Sequence, residues 1–135
     1  MNQKIVKAVK AIIRNQDGKI LVVEERVRDK VYFAIPGGRI SEGVNEQVEL
    51  AREIKEEVGL NIKEGKYVGD WSFVRSDGSL TVCRTFVVEN YSGEIDYSGQ
   101  EDYENLIAHW MTPAEFVGCC SQESLKKLIL ELWKI

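Results

Sequence analysis

The sequence predicts a mixed α/β fold, an α/β/α sandwich with helices on both faces of a mixed central sheet. Three observations lead there. Short apolar runs of strand character recur along the chain, divided by turn signals. Helical periodicity is confined to two clear stretches and one short one. Those stretches are well separated, so each must cover a sheet surface. With 135 residues, 44% hydrophobic and 30% charged, the chain is expected to form a single domain over residues 1–135 with a real core.

The elements follow in order. Ile5 to Ile13 reads as a strand, and Asn15-Gln16-Asp17-Gly18 as the turn after it. Ile20 to Val23 is a continuous apolar run that suits a buried strand, and Val31 to Ile35 a short one that stops at Pro36-Gly37-Gly38. The first helix spans Glu46 to Val58, with Asn45 as N-cap and Gly59 as the terminating residue. Tyr67 to Val74 and Leu80 to Val88 flank Ser76-Asp77-Gly78-Ser79, a hairpin signal. Asn105 to Met111 is the last strand. Thr112-Pro113-Ala114-Glu115 combines a capping box with proline at the first helical position and opens a short helix. The final helix begins near Ser121, with Leu125, Leu128, Ile129 and Leu132 on one face.

Composition excludes several classes. A net charge of −4 provides no basic field, so specific nucleic-acid binding is not expected. No apolar run approaches the length of a membrane span, and the N-terminal MNQKIVKAVKAII lacks the features of a secretory signal. Cys83, Cys119 and Cys120 are odd in number, with no Cys-x-x-Cys pair, which predicts reduced thiols in a cytoplasmic protein.

The chemistry concentrates on the first helix. Wound at 3.6 residues per turn, it gathers Val44, Val48, Ala51, Ile54 and Val58 on one side, the expected buried face. Glu49, Glu53, Glu56 and Glu57 fall opposite, with Arg52 between the two faces. Carboxylates at i, i+3 and i+4 repel by about 0.2–0.5 kcal/mol per pair. They also stand in the last turns, where the helix dipole disfavours negative charge. Bound Mg²⁺ or Mn²⁺, which take oxygen ligands, would relieve that repulsion. Gly37-Gly38, fifteen residues before Glu53, adds a main chain able to approach a metal or phosphate closely.

These residues resemble the Nudix hydrolases, whose box is Gly, five residues, Glu, seven residues, then Arg-Glu-aliphatic-x-Glu-Glu-x-Gly-aliphatic. Here the segment from Gly38 to Leu60 carries Arg52-Glu53-Ile54-Lys55-Glu56-Glu57-Val58-Gly59-Leu60, and eight of the nine fixed positions match. The departure is Val44, which stands where the pattern has its first glutamate. The strands before the box, Trp110 to Glu115 after it and a C-terminal helix extend the likeness over most of the chain.

The resemblance implies a Nudix-type sandwich and water attack on a phosphorus of a nucleoside diphosphate linked to another group. It implies Glu53, Glu56 and Glu57 as ligands of Mg²⁺ or Mn²⁺, helped by the carbonyl of Gly37 or Gly38. Glu53 is the first choice of general base, and Arg52 the residue that orients the carboxylates. A later-loop glutamate, Glu104 before Glu101, is the candidate for a further ligand. Arg39 is placed to reach a phosphate, and Tyr32, Phe33, Trp71 and Phe73 are candidates for stacking on a base. His109 is read as structural. A nucleoside-triphosphate or related nucleotide pyrophosphohydrolase leads. Val44 keeps open the alternative of a weak or inactive nucleotide-binding sensor or regulatory module. A small-molecule diphosphate is the expected partner, and a homodimer is compatible with the sequence.

Overall fold

A computed structural model describes residues 3–134 of the chain. Its elements are β1 (Ile5–Ile13), β2 (Ile20–Val27), β3 (Lys30–Ala34), β4 (Gly37–Arg39), α1 (Glu46–Val58), β5 (Asn61–Ile62), β6 (Lys66–Val74), β7 (Leu80–Val88), β8 (Tyr91–Ser92), β9 (Leu106–Met111), α2 (Pro113–Cys119) and α3 (Glu123–Trp133). The mixed central sheet has the order β4-β1-β7-β6: β1 runs parallel to β7, and the other pairs are antiparallel. Beside it lies an antiparallel sheet, β3-β2-β9, and β5 pairs with β8. The first two sheets diverge from the turn after β1, where Asn15 Oδ1 accepts the N–H groups of Asp17 and Lys19.

Strand alternation divides the core between two layers. Val9, Ala11 and Ile13 of β1 pack with Leu50, Ile54 and Val58 of α1. Ala8 and Ile12 point the other way, into a cluster with Phe116 of α2 and Leu125 and Ile129 of α3. Helices therefore cover both faces, as the sequence predicts. The capping signals also hold: Asn45 accepts from the Val48 N–H, Gly59 closes α1 at φ 80°, and Thr112 and Glu115 form the capping box of α2.

Two expectations need correction. The buried face of α1 is Leu50, Ile54, Glu57 and Val58, whereas Val44 and Val48 are 43% and 66% exposed. The i, i+4, i+7, i+8 stripe that meets the sheet is thus rotated from the valine-rich one, and it carries a glutamate into the core. Also, the chain does not leave the sheet at Pro36. Gly37–Arg39 turns back as β4 against β1, with Lys10 opposite Gly37 and Val9 opposite Gly38. Gly37 takes φ 148°, and a β-carbon there would collide with the Val9 carbonyl, so only glycine brings the main chain this close.

Candidate active site

The rotation of α1 sets the geometry of the site. Glu57 lies on the core side, 5% exposed, and its Oε1 accepts the Gly37 N–H at 2.9 Å. One turn earlier, Glu53 reaches Gly38 so closely that a β-carbon at Gly38 would fall 2.5–2.7 Å from its carboxyl atoms. The glycine pair therefore does two jobs: Gly37 fixes Glu57, and Gly38 leaves the space that Glu53 occupies. Glu56 points further out, towards Arg52.

Arg52 organises the remaining carboxylates. Its Nε and Nη2 donate to the two oxygens of Glu49 at 2.9 and 2.7 Å, Nη2 also to Glu53 Oε1 at 2.8 Å, and Nη1 to Glu56 Oε2 at 2.9 Å. The guanidinium holds the Glu49 carboxyl below its usual range through these bonds. Glu53, half-buried, moves the other way: desolvation raises it, Arg52 opposes, and Glu56, Glu49 and Glu104 raise it further. Burial pushes Glu57 up to about 8, against the opposing pull of Lys10 and the Gly37 N–H.

The loop before β9 brings Glu104 to the same place. Its Oε1 accepts the Glu101 N–H at 2.9 Å, and desolvation and the neighbouring Glu56 raise its carboxyl. Glu53, Glu57, Glu104, Gly37 and Gly38 line one cleft of about 780 Å³. Among the described residues no three carboxylates close on a single point, and Glu53 and Glu56 each accept one bond from Arg52. The donor set nevertheless fits a hard divalent cation. It is oxygen only, its members repel one another, and its most buried carboxyl is one whose ionised form a cation would stabilise. Glu53, Glu57 and Glu104, with a carbonyl of Gly37 or Gly38, are the cleft groups that would hold it; Glu56 lies outside the cleft lining but interacts with Glu53 and Glu104 and would join them.

The cleft is also lined by cationic side chains. Arg39 lines the cleft as the sequence suggests, joined by Lys10, Arg26 and Arg28. Arg28 occupies the two-residue turn between β2 and β3 with φ 58°, a conformation that disfavours residues with side chains. Neither Arg28 nor Arg39 has an ion-pair partner among the described residues. The sequence reading missed Lys10, Arg26 and Arg28; the run Glu24-Glu25-Arg26-Val27-Arg28 before the box was the available signal.

Two of the four aromatic candidates, Trp71 and Phe73, are corrected. Trp71 and Phe73 stack on each other at 5.8 Å inside the core on the α3 side, where strand alternation points them, and neither lines the cleft. Phe33 stands opposite Glu24 in the β2–β3 ladder, on the sheet face that carries His109, 6.1 Å from that ring. Tyr32 shares the face of Glu25, which does line the cleft, but remains exposed beside it. His109 Nε2 lies 3.0 Å from Glu24 Oε1, in keeping with a structural role. An aromatic the sequence reading passed over, Tyr103, stands 84% exposed at the cleft lip.

A mixed α/β sandwich whose covering helix presents carboxylates to a cleft that arginines also line defines the class. A NUDIX domain model matches residues 4–130, and the chain belongs to the Nudix family. The putative 8-oxo-dGTP diphosphatase 2 of Mycobacterium tuberculosis is 33% identical over 121 residues, 85% of this chain and 77% of that one. The 8-oxo-dGDP phosphatase NUDT18 of Danio rerio is 27% identical over 111 residues, 82% of this chain. The chain spans only 33% of that relative's length. Among solved structures, the ORF135 protein of E. coli aligns with TM-score 0.79 at 22% identity, over 98% of this chain and 91% of its own. The MutT protein from Methanosarcina mazei Go1 aligns with TM-score 0.82 at 18% identity, over 99% and 96%. Both share the fold. Among the described residues no helix is long and apolar enough to cross a membrane.

Proposed function

We propose that the chain hydrolyses a phosphoanhydride bond of a nucleotide, a nucleoside triphosphate or a related derivative of a nucleoside diphosphate, with Mg²⁺ or Mn²⁺ as cofactor. The observation that carries this reading is the cleft itself, which Glu53, Glu57 and Glu104 line together with Arg28 and Arg39. Phosphoryl transfer needs mostly positioning and charge stabilisation, which this arrangement offers. When bound, the cation neutralises phosphate oxygens and activates water. Glu53, Glu56, Glu57 and Glu104 hold it, and Arg52 orients Glu53 and Glu56. Glu53 takes the proton of the attacking water; its raised pKa brings it nearer the working pH of a base. Arg28 and Arg39, which line the same cleft, grip the phosphate chain. The names of the Mycobacterium tuberculosis and Danio rerio relatives make oxidised guanine nucleotides the first substrates to try.

The deciding experiment incubates the protein with nucleoside triphosphates, 8-oxo-dGTP, dinucleoside polyphosphates, ADP-ribose and NADH, with and without Mg²⁺, beside Glu53→Gln. Metal-dependent product that falls at least about 100-fold in the variant is expected for loss of the base. Tight, metal-dependent nucleotide binding without turnover on any substrate would replace the hydrolase by a binding module.

A further inference from the structure

We infer that Glu49 is a positioning residue, keeping Arg52 from closing on Glu53 and Glu56 and so leaving those two carboxylates free to hold a cation. The inference rests on the reading of Glu53 and Glu56 as cation ligands. A guanidinium has five N–H donors in a fixed fork, and its strongest partner is a carboxylate gripped by two of them. In Arg52 that two-pronged grip is given to Glu49, at 2.9 and 2.7 Å. Glu53 and Glu56 each receive a single bond, through Oε1 and Oε2 respectively. Each therefore keeps one oxygen to which Arg52 donates nothing.

Remove the Glu49 charge and the fork is released. Arg52 can then turn to grip Glu53 or Glu56 with two nitrogens, covering oxygens a cation needs. Among the described residues no carboxylate beyond Glu49, Glu53 and Glu56 pairs with Arg52. Val44, where the box departs from its pattern, has no polar atom and is 43% exposed. Glu46 is engaged by Arg84, and Asp96 accepts the Ser98 N–H. Both oxygens of Glu49 accept from Arg52, so its effect on a cation has to pass through Arg52.

The test is a double-mutant cycle on the metal-free protein, reading the Mn²⁺ dissociation constant by titration calorimetry. Glu49→Gln is expected to weaken Mn²⁺ binding about 10-fold, the scale on which outer-shell partners act. In a protein already carrying Arg52→Gln, the same change should alter affinity no more than about 2-fold, because the competing fork is gone. The concentration of Mg²⁺ for half-maximal turnover should move with Glu49→Gln in the same direction. Melting of the metal-free variants verifies that both are folded; a role in packing alone would shift melting and leave Mn²⁺ affinity unchanged. Unchanged Mn²⁺ affinity in Glu49→Gln overturns the inference, as does an equal loss in both backgrounds, which would make Glu49 act on the cation directly. If the wild-type chain binds no Mn²⁺, the proposed function falls and takes this inference with it. Mn²⁺ binding indifferent to Glu49 removes the inference alone.

Discussion

Replacing Glu57 by glutamine tests the energetic core of the site. Glu57 is 5% exposed, and burial raises its carboxyl from an ordinary 4.5 to about 8 in the metal-free protein. The unfolded chain loses that proton near 4.5, whereas the folded chain keeps it until about 8. Between those values the folded state binds more protons, so this group's contribution to stability is full below 4.5 and lost as pH rises through 8. At about 1.4 kcal/mol per pH unit, the loss is on the order of 3–6 kcal/mol. For a chain of this size that corresponds to roughly 10–20 °C in Tm. Glu57→Gln keeps an oxygen for the Gly37 N–H and has no proton to lose. Thermal melting in EDTA from pH 5.5 to 8.5 should therefore show the wild type falling steadily relative to the variant. Mg²⁺ should restore the wild type at high pH and leave the variant nearly unmoved. Parallel curves in EDTA would refute the claim that the buried Glu57 carboxylate destabilises the protein when no cation is bound.

Two further outcomes concern the main chain around the cleft. Arg28→Gly should hold or raise Tm, since glycine removes a backbone cost of about 1 kcal/mol at φ 58°, while KM for a nucleotide rises about 10-fold; a fall in stability with unchanged KM would make Arg28 a structural residue. Gly37→Ala should lose more than about 2 kcal/mol in urea denaturation, because its new β-carbon meets the Val9 carbonyl in the β4–β1 ladder. A variant as stable as the wild type would mean that β4 can move away from β1.

Local signals made much of this legible in the sequence. The bounds of α1 follow from Asn45 and Gly59, and those of α2 from Thr112 and Pro113, since capping is decided within a few residues. The rotation of α1 was not legible. Val44, Val48 and Leu50 are all apolar, and which of them turns inward depends on where β1 and β4 lie. The placement of Glu57 in the core followed from that same hidden rotation. β4 escaped because Gly37-Gly38-Arg39 has no strand character of its own; its partner across the ladder creates it. The turn at Arg28-Asp29 carries neither glycine nor asparagine, so the hairpin that swings Arg28 over the cleft gave no warning. Trp71 and Phe73 look alike for a base-stacking strand and for a core strand, because alternation gives the period and not the side.

The parallel pairing of β1 with β7 has a kinetic side. Ile5 pairs with Leu80 and Ile13 with Val88, and β1 lies between β4 and β7 in the sheet. On the ribosome, α1 emerges well before the strand that completes the sheet beneath it, and Glu104 emerges later still. Until β7 arrives, Leu50, Ile54 and Val58 have only part of their packing surface. Pairings this distant along the chain must close a long loop before they return any contact, which places such topologies among the slower folders. Refolding rate should accordingly respond to substitutions in β1 and β7 far more than to changes among the glutamates, so that activity and speed of folding are set by separate parts of one chain.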